Sequence, residues 1–462
     1  MLKRYIGDKA FYRRVMVVAV PIIIQNGITN FVSLLDNIMV GQVGTVQMSG
    51  VSIVNQLLFV FNLCVFGAVS GAGIFTAQFY GSEDHEGVRY TFRFKFLAAF
   101  FLVLLGAGVF LLAGQPLIRL YLQGEGDPKD MAMTLAYGSD YLRIMLLGLL
   151  PFALANAYSG TLRETGQTMV PMVGGIVAVC VNLVFNYILI FGHFGAPAMG
   201  VRGAAAATVI SRYVELAIVA GWTHLHGEKN PFIQGAYRSM RIPANLLKGI
   251  FIKGMPLLLN EALWSAGMAL MNQCYSVRGL DVVAAMNISS TLSNLASVVF
   301  LSMGNTVGII IGQMLGAGRS EEEVRDADNK LIAVSIASCL VFGGLMASVS
   351  GLFPQIYNTT DTVRHLATRL IWITAAFMPV NAYCNAAYFT LRSGGQTMVT
   401  FLFDSCFVWV CSVPLAFCLS RFTTIPILPM YLICTAMELV KCLVGYIMIR
   451  RGTWIQNLAQ SE

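Results

Sequence analysis

Charged side chains are scarce in this sequence. Asp, Glu, Lys and Arg make up 11% of its 462 residues, where a soluble domain carries roughly a quarter, and 56% of the chain is hydrophobic. That excludes a water-soluble globular protein, and apolar runs recurring along the whole length define a polytopic membrane protein. Histidine is nearly missing: His85, His193, His224, His226 and His365 all fall in loops or at span ends. With no intramembrane histidine, no paired metal ligands and no G-x-S-x-G nucleophile turn, nothing supports a membrane-embedded enzyme. The sequence G-x-x-x-x-G-K-[ST] does not occur either, so the phosphate cradle of a nucleotide-driven pump is lacking. Energy, if used, is expected from an ion gradient, and no cofactor is expected. The ten cysteines lack the close paired spacing of zinc or redox motifs and read as free thiols packed among helices. The basic opening MLKRYIGDKAFYRR lacks a short apolar core followed by a small-residue cleavage site, so the first span is expected to stay. The net charge of +7 is spread over short loops without a basic stripe interleaved with aromatics, so nucleic acid is not an expected partner.

Hydropathy with turn punctuation divides the chain into twelve expected spans: 15–40, 51–79, 96–114, 137–160, 170–192, 203–222, 249–276, 282–315, 331–352, 367–390, 398–420 and 428–449. Loops alternate sides, and twenty Lys and Arg residues fall on one side against eight on the other. By the positive-inside rule both termini are expected in the cytoplasm of a multi-pass inner-membrane protein.

The chain repeats itself. At an offset of 235, Pro21, Leu35, Gly44, Ile53, Gln78 and Gly81 fall on Pro256, Leu270, Gly279, Ile288, Gln313 and Gly316. At an offset of 229, TLRETGQTMV from Thr161 matches TLRSGGQTMV from Thr390 at eight of ten positions. Each half holds six spans, an even number, so both halves enter the membrane in the same sense as parallel repeats. The expected organisation is an amino-terminal six-helix lobe over 1–222, a cytoplasmic linker with a short surface helix over 223–248, and a carboxy-terminal six-helix lobe over 249–462. Nothing in the sequence demands more than a monomer surrounded by lipid.

Five carboxylates fall inside expected spans. Glu215 and Glu438 have Arg212 and Lys441 three residues away and read as intrahelical pairs. Asp36, Glu261 and Asp404 have no basic residue within one helical turn and are the candidates for carrying an ion or a proton. Asn26, Thr29, Asn30, Ser33 and Asp36 lie along one face of the first span, which makes Asn26, Asn30 and Ser33 candidates for lining a pathway. In span five Asn182 and Asn186, four apart, share a face. Their carbonyl oxygens suit a hard cation such as sodium, and equally suit hydrogen bonds between helices.

Pro21 with LLDNIMVGQVG, the TLR-x-x-GQT turns at 161 and 390, and NLVFNYILIFGHFGAPAMGVRGAAAAT from Asn182 to Thr208 resemble the multidrug and toxic compound extrusion (MATE) transporters. The resemblance covers about Val15 to Ile449. It implies an all-α fold of twelve transmembrane helices in two six-helix lobes around a V-shaped cavity. It also implies antiport, with amphipathic or cationic organic compounds exported in exchange for sodium or protons. Asp36 resembles the first-helix acid of the ion-coupling site, with Asn182, Asn186 and Thr208 as its partners around a sodium ion. Glu261 is similar to the seventh-helix acid of other branches, and with Asp404 it forms the second-lobe alternative. A lipid-linked glycan flippase of the same superfamily is the nearest rival reading, although this chain has few mid-span basic residues and only twelve spans.

Overall fold

The structure is a computed structural model that describes residues 5–122 and 128–460, the side chains of Val32, Leu34 and Asn37 excepted. Lys3 and Arg4 of the basic opening therefore lie outside the described residues. Among the described residues regular structure is helical throughout. The long helices are α1 (Lys9–Gly41), α2 (Thr45–Gly81), α3 (His85–Tyr121), α4 (Pro128–Met145) and α5 (Leu149–Glu164), followed by α6 (Met169–Phe191) and α7 (Val201–Leu225). The second half supplies α8 (Ala244–Ser276), α9 (Leu280–Gly316), α10 (Glu321–Val349) and α11 (Asp361–Ser393). It closes with α12 (Thr397–Phe401), α13 (Val413–Phe422) and α14 (Ile427–Arg451). A single 3-10 turn joins α4 to α5, so the two form one span, and α12 and α13 form another.

Eleven spans among the described residues are long and apolar enough to cross a bilayer. The twelfth expected span, α8, is a helix of 33 residues that falls short of that apolarity. Lys253, Asn260 and Glu261 all lie within it and lower its mean hydropathy.

The chain forms two compact units. The amino-terminal unit comprises Ile24–Thr76 and His85–Lys248. Its core runs from Val54 and Leu58 of α2 through Ile118, Tyr141 and Leu149 to Ala205 of α7. The carboxy-terminal unit comprises Gly249–Glu462 together with Met1–Ile23 and Ala77–Asp84, so it takes in the first turns of α1 and the last turn of α2. Within this unit α2 and α9 cross very closely. A Cβ on Gly81 would run into the Gln313 carbonyl, and one on Gly316 into the Gln78 carbonyl, so glycine is required at both positions. The Gln78 side chain then fixes the chain end, donating to the Ser393 carbonyl at 2.8 Å and accepting from the Leu458 amide at 2.6 Å.

The linker departs from expectation. Instead of a surface helix, 226–243 contains only a 3-10 turn at Pro231–Ile233, and Phe232, Ile233 and Ala236 are buried. Two arginines of α3 hold it. Arg93 donates to the carbonyls of Ala236 (2.7 Å), Gly235 (3.0 Å) and Arg241 (3.2 Å), and Arg89 donates to that of Phe232 (3.3 Å). A helical linker would have spent those carbonyls internally, whereas here the guanidinium groups satisfy them. The Tyr237 hydroxyl bonds Tyr158 and His224, and burial pushes its pKa above the ordinary tyrosine value. All ten cysteines are free thiols, but Cys180 and Cys418 lie on exposed faces and not among helices.

Candidate cation site

Three helices of the amino-terminal unit bring Asp36, Asn182, Asn186 and Thr208 together. Asn186 is fully buried on α6, and its amide nitrogen donates both to Asp36 Oδ1 on α1 and, at 3.1 Å, to Asn182 Oδ1 one turn earlier. Asn182 Nδ2 donates to Thr208 Oγ1 of α7 at 3.3 Å, and that hydroxyl donates to the Ala204 carbonyl at 3.0 Å. The bonds therefore run in one direction and engage both N–H groups of Asn186 and the Thr208 hydroxyl. What they leave over is oxygen. Among the described residues Asn186 Oδ1 is buried without a hydrogen-bond partner, a costly condition unless a cation or water supplies the missing positive charge. Among the described residues no Lys or Arg lies within salt-bridge distance of Asp36. A carboxylate, two amide oxygens and a hydroxyl from three helices form a donor set of the kind that dehydrates a hard monovalent cation, or that holds a proton on Asp36.

Tyr141 was not singled out from sequence. It is buried in α4 within electrostatic reach of Asp36, and its hydroxyl donates to Asn55 Oδ1 of α2 at 3.3 Å. A tyrosine one turn after Tyr137 reads as helix packing in the sequence, so only the structure reveals its place beside Asp36. Asn30 and Ser33 are exposed and bond back to the carbonyls of Asn26 and Thr29, at 2.9 Å each. These bonds give Asn30 and Ser33 acceptors within their own helix.

The second-lobe candidates sit differently. Asp404 was expected to be unpaired, and it is not. Lys441 of α14, 37 residues on, donates to Asp404 Oδ1 at 2.5 Å, while Asn260 of α8 donates to Asp404 Oδ2 at 3.0 Å. The pairing is between helices and leaves no trace within one helical turn of sequence. Lys441 also reaches Glu438 at 3.7 Å, the expected intrahelical contact, which is the looser of the two. Asp404 stands in a π-helical stretch, Leu402–Cys406, where the wider turn disturbs the usual backbone ladder. There the Ser405 amide donates to Asn260 Oδ1 at 3.2 Å, and its hydroxyl donates to the same oxygen at 2.7 Å. Glu261 lies within electrostatic reach of Arg392, and Glu215 of Arg163 as well as of its expected partner Arg212.

Fold and site together define a duplicated, polytopic helical membrane protein with an oxygen-rich acidic centre in one unit. A family model described as MatE matches residues 21–188 and 256–418, two stretches that begin at the repeat-related prolines Pro21 and Pro256. A probable multidrug resistance protein NorM of Thermotoga maritima is 25% identical over 418 residues, covering 87% of this chain and 84% of its own length. A probable multidrug resistance protein YoeA of Bacillus subtilis is 26% identical over 428 residues, covering 90% and 89%. The crystal structure of a MATE protein in complex with MaL6 superposes with a TM-score of 0.85 at 19% identity over 98% of both chains, so the twelve-helix two-lobe fold is shared. The chain belongs to the MatE family. It is a multi-pass membrane transporter and not an enzyme.

Proposed function

We propose that this chain is a secondary antiporter of the inner membrane that exports amphipathic or cationic organic compounds from the cytoplasm in exchange for sodium or protons. The observation that carries the reading is the Asp36, Asn182, Asn186 and Thr208 cluster, in which, among the described residues, no Lys or Arg reaches the carboxylate and Asn186 Oδ1 has no hydrogen-bond partner. The names of the NorM and YoeA relatives support the substrate class. The oxygen set favours sodium, because Asn186 stands where a second acid would serve a proton relay. Exchange follows if the ion and the organic compound prefer different conformations of the protein, since each shifts the equilibrium only by its differential affinity.

The test is transport of a fluorescent organic cation in proteoliposomes under an imposed sodium or proton gradient, for wild type and Asp36→Asn. Gradient-driven movement in wild type and its loss in the variant are the expected result. Efflux surviving in well-incorporated Asp36→Asn would remove Asp36 from the coupling role, and no movement under either gradient would sink the antiport reading.

A further inference from the structure

The two units answer the same electrostatic problem in opposite ways. In the carboxy-terminal unit both Asp404 oxygens are engaged, one by the Lys441 ammonium and one by the Asn260 amide, and Asn260 Oδ1 is itself taken twice by Ser405. Lys441 is buried, lies 5.5 Å from the centre of the Phe403 ring, and extends between Asp404 and Glu438. A positive charge on a flexible stem, surrounded by two carboxylates and an aromatic face, stands where a free cation would otherwise be drawn.

We propose that Lys441 is a built-in counter-cation that closes the Asp404 centre of the carboxy-terminal unit, so that only the Asp36 centre is open to an ion from solution. The inference rests on the reading of Asp36 as the ion-binding acid and assigns the coupling to one unit. The repeat supports it. At offsets of 235 and 229, the positions of Asp36, Asn182, Asn186 and Thr208 are occupied in the second half by Met271, Cys411, Leu415 and Met437, none of which offers a side-chain oxygen. The second half thus has no counterpart of the open site, and its acids lie at a different level beside their own bases. Removing Lys441 leaves Asp404 and Glu438 facing one another with no cation between them, a pair that recruits one from water.

Binding of radioactive sodium to the purified full chain in detergent tests this. Lys441→Gln in an Asp36→Asn background is expected to bind sodium where Asp36→Asn alone binds none, and adding Asp404→Asn is expected to abolish the new binding. Lys441→Arg, which keeps the charge, is expected to bind none in the same background. A folded Asp36→Asn/Lys441→Gln protein that takes up no sodium would overturn the proposal. Should the lysine variants fail to fold, Asp404→Asn alone serves. Its gradient-driven efflux is expected within about twofold of wild type, and a tenfold loss would mean that the coupling ion uses Asp404 and that Lys441 closes nothing. Failure of the Asp36 reading shows separately, as binding and transport indifferent to Asp36→Asn with the Lys441-dependent gain intact.

Discussion

The two halves descend from one pattern yet differ in what they bury. Four repeat-related pairs make the contrast. Gln25 falls on Asn260, Gly175 on Asp404, Arg163 on Arg392 and Arg212 on Lys441. In the amino-terminal unit this set contains no acid. Arg163 donates to Gln25 Oε1 at 2.7 Å, a Cβ on Gly175 would collide with Gln25, and Arg212 lies 4.8 Å from the Phe152 ring centre. In the carboxy-terminal unit an aspartate fills the glycine's place and captures the lysine. In the amino-terminal unit Glu215 lies within electrostatic reach of both Arg163 and Arg212, and Asp36, with no Lys or Arg at salt-bridge distance among the described residues, stands eleven residues from Gln25, or about 16 Å along α1. Duplication kept the helices and their cationic positions, while the carboxylates moved. Among the described residues Asp36 has no base at salt-bridge distance, whereas Asp404 is held by Lys441.

The largest effect that would break this contrast lies under the repeated turns. Thr161 accepts a hydrogen bond from Lys95, which is fully buried and paired with Glu164, whereas its repeat partner Thr390 donates to buried Asp328 at 2.5 Å. Lys95→Met removes the buried ammonium that Glu164 and Thr161 share and is expected to cost about 3 kcal/mol. Asp328→Asn keeps an acceptor oxygen for Thr390 and is expected to cost about 1 kcal/mol or less. Thermal unfolding of the two purified variants in detergent compares them directly, and equal losses would refute the asymmetry. Next in size is an exchange of repeat residues. Asn186→Leu gives the open site the residue found at 415 and is expected to lower gradient-driven efflux by at least about tenfold, as loss of a ligand-bearing and bridging amide implies. The reverse change, Leu415→Asn, is expected to leave efflux within about twofold, and a comparable loss there would mean that the position matters for packing in both halves. A smaller loss than that of Asn186→Leu is expected from Tyr141→Phe, which removes one neutral hydrogen bond to Asn55. It should weaken ion dependence by about threefold to tenfold, read from the sodium or proton concentration that half-saturates efflux.

Much of this was legible in the sequence, for reasons particular to membranes. A span must be long and apolar, so hydropathy with turn punctuation placed all twelve, even α8, whose composition is diluted by Lys253, Asn260 and Glu261 and which alone of the twelve falls short of the apolarity of a span among the described residues. Asn182 and Asn186 were readable because a spacing of four puts two amides on one helical face. The Lys441 and Asp404 contact was not readable, because it joins α14 to a π-helical stretch and no local spacing reports a partner 37 residues away. The linker misled for a related reason. Its polar residues look like those of a solvated helix, but Arg89 and Arg93 of α3 satisfy its carbonyls from outside.

The crossing of α2 and α9 has a consequence for symmetry. A Cβ on Gly81 would meet Gln313, the repeat image of Gln78, one on Gly316 would meet Gln78 itself, and one on Gly312 would meet Ala77, its own image in the repeat. A patch that meets a copy of itself is what a two-fold homodimer makes. The chain therefore carries, inside one polypeptide, a self-complementary patch of the kind that two identical subunits would share.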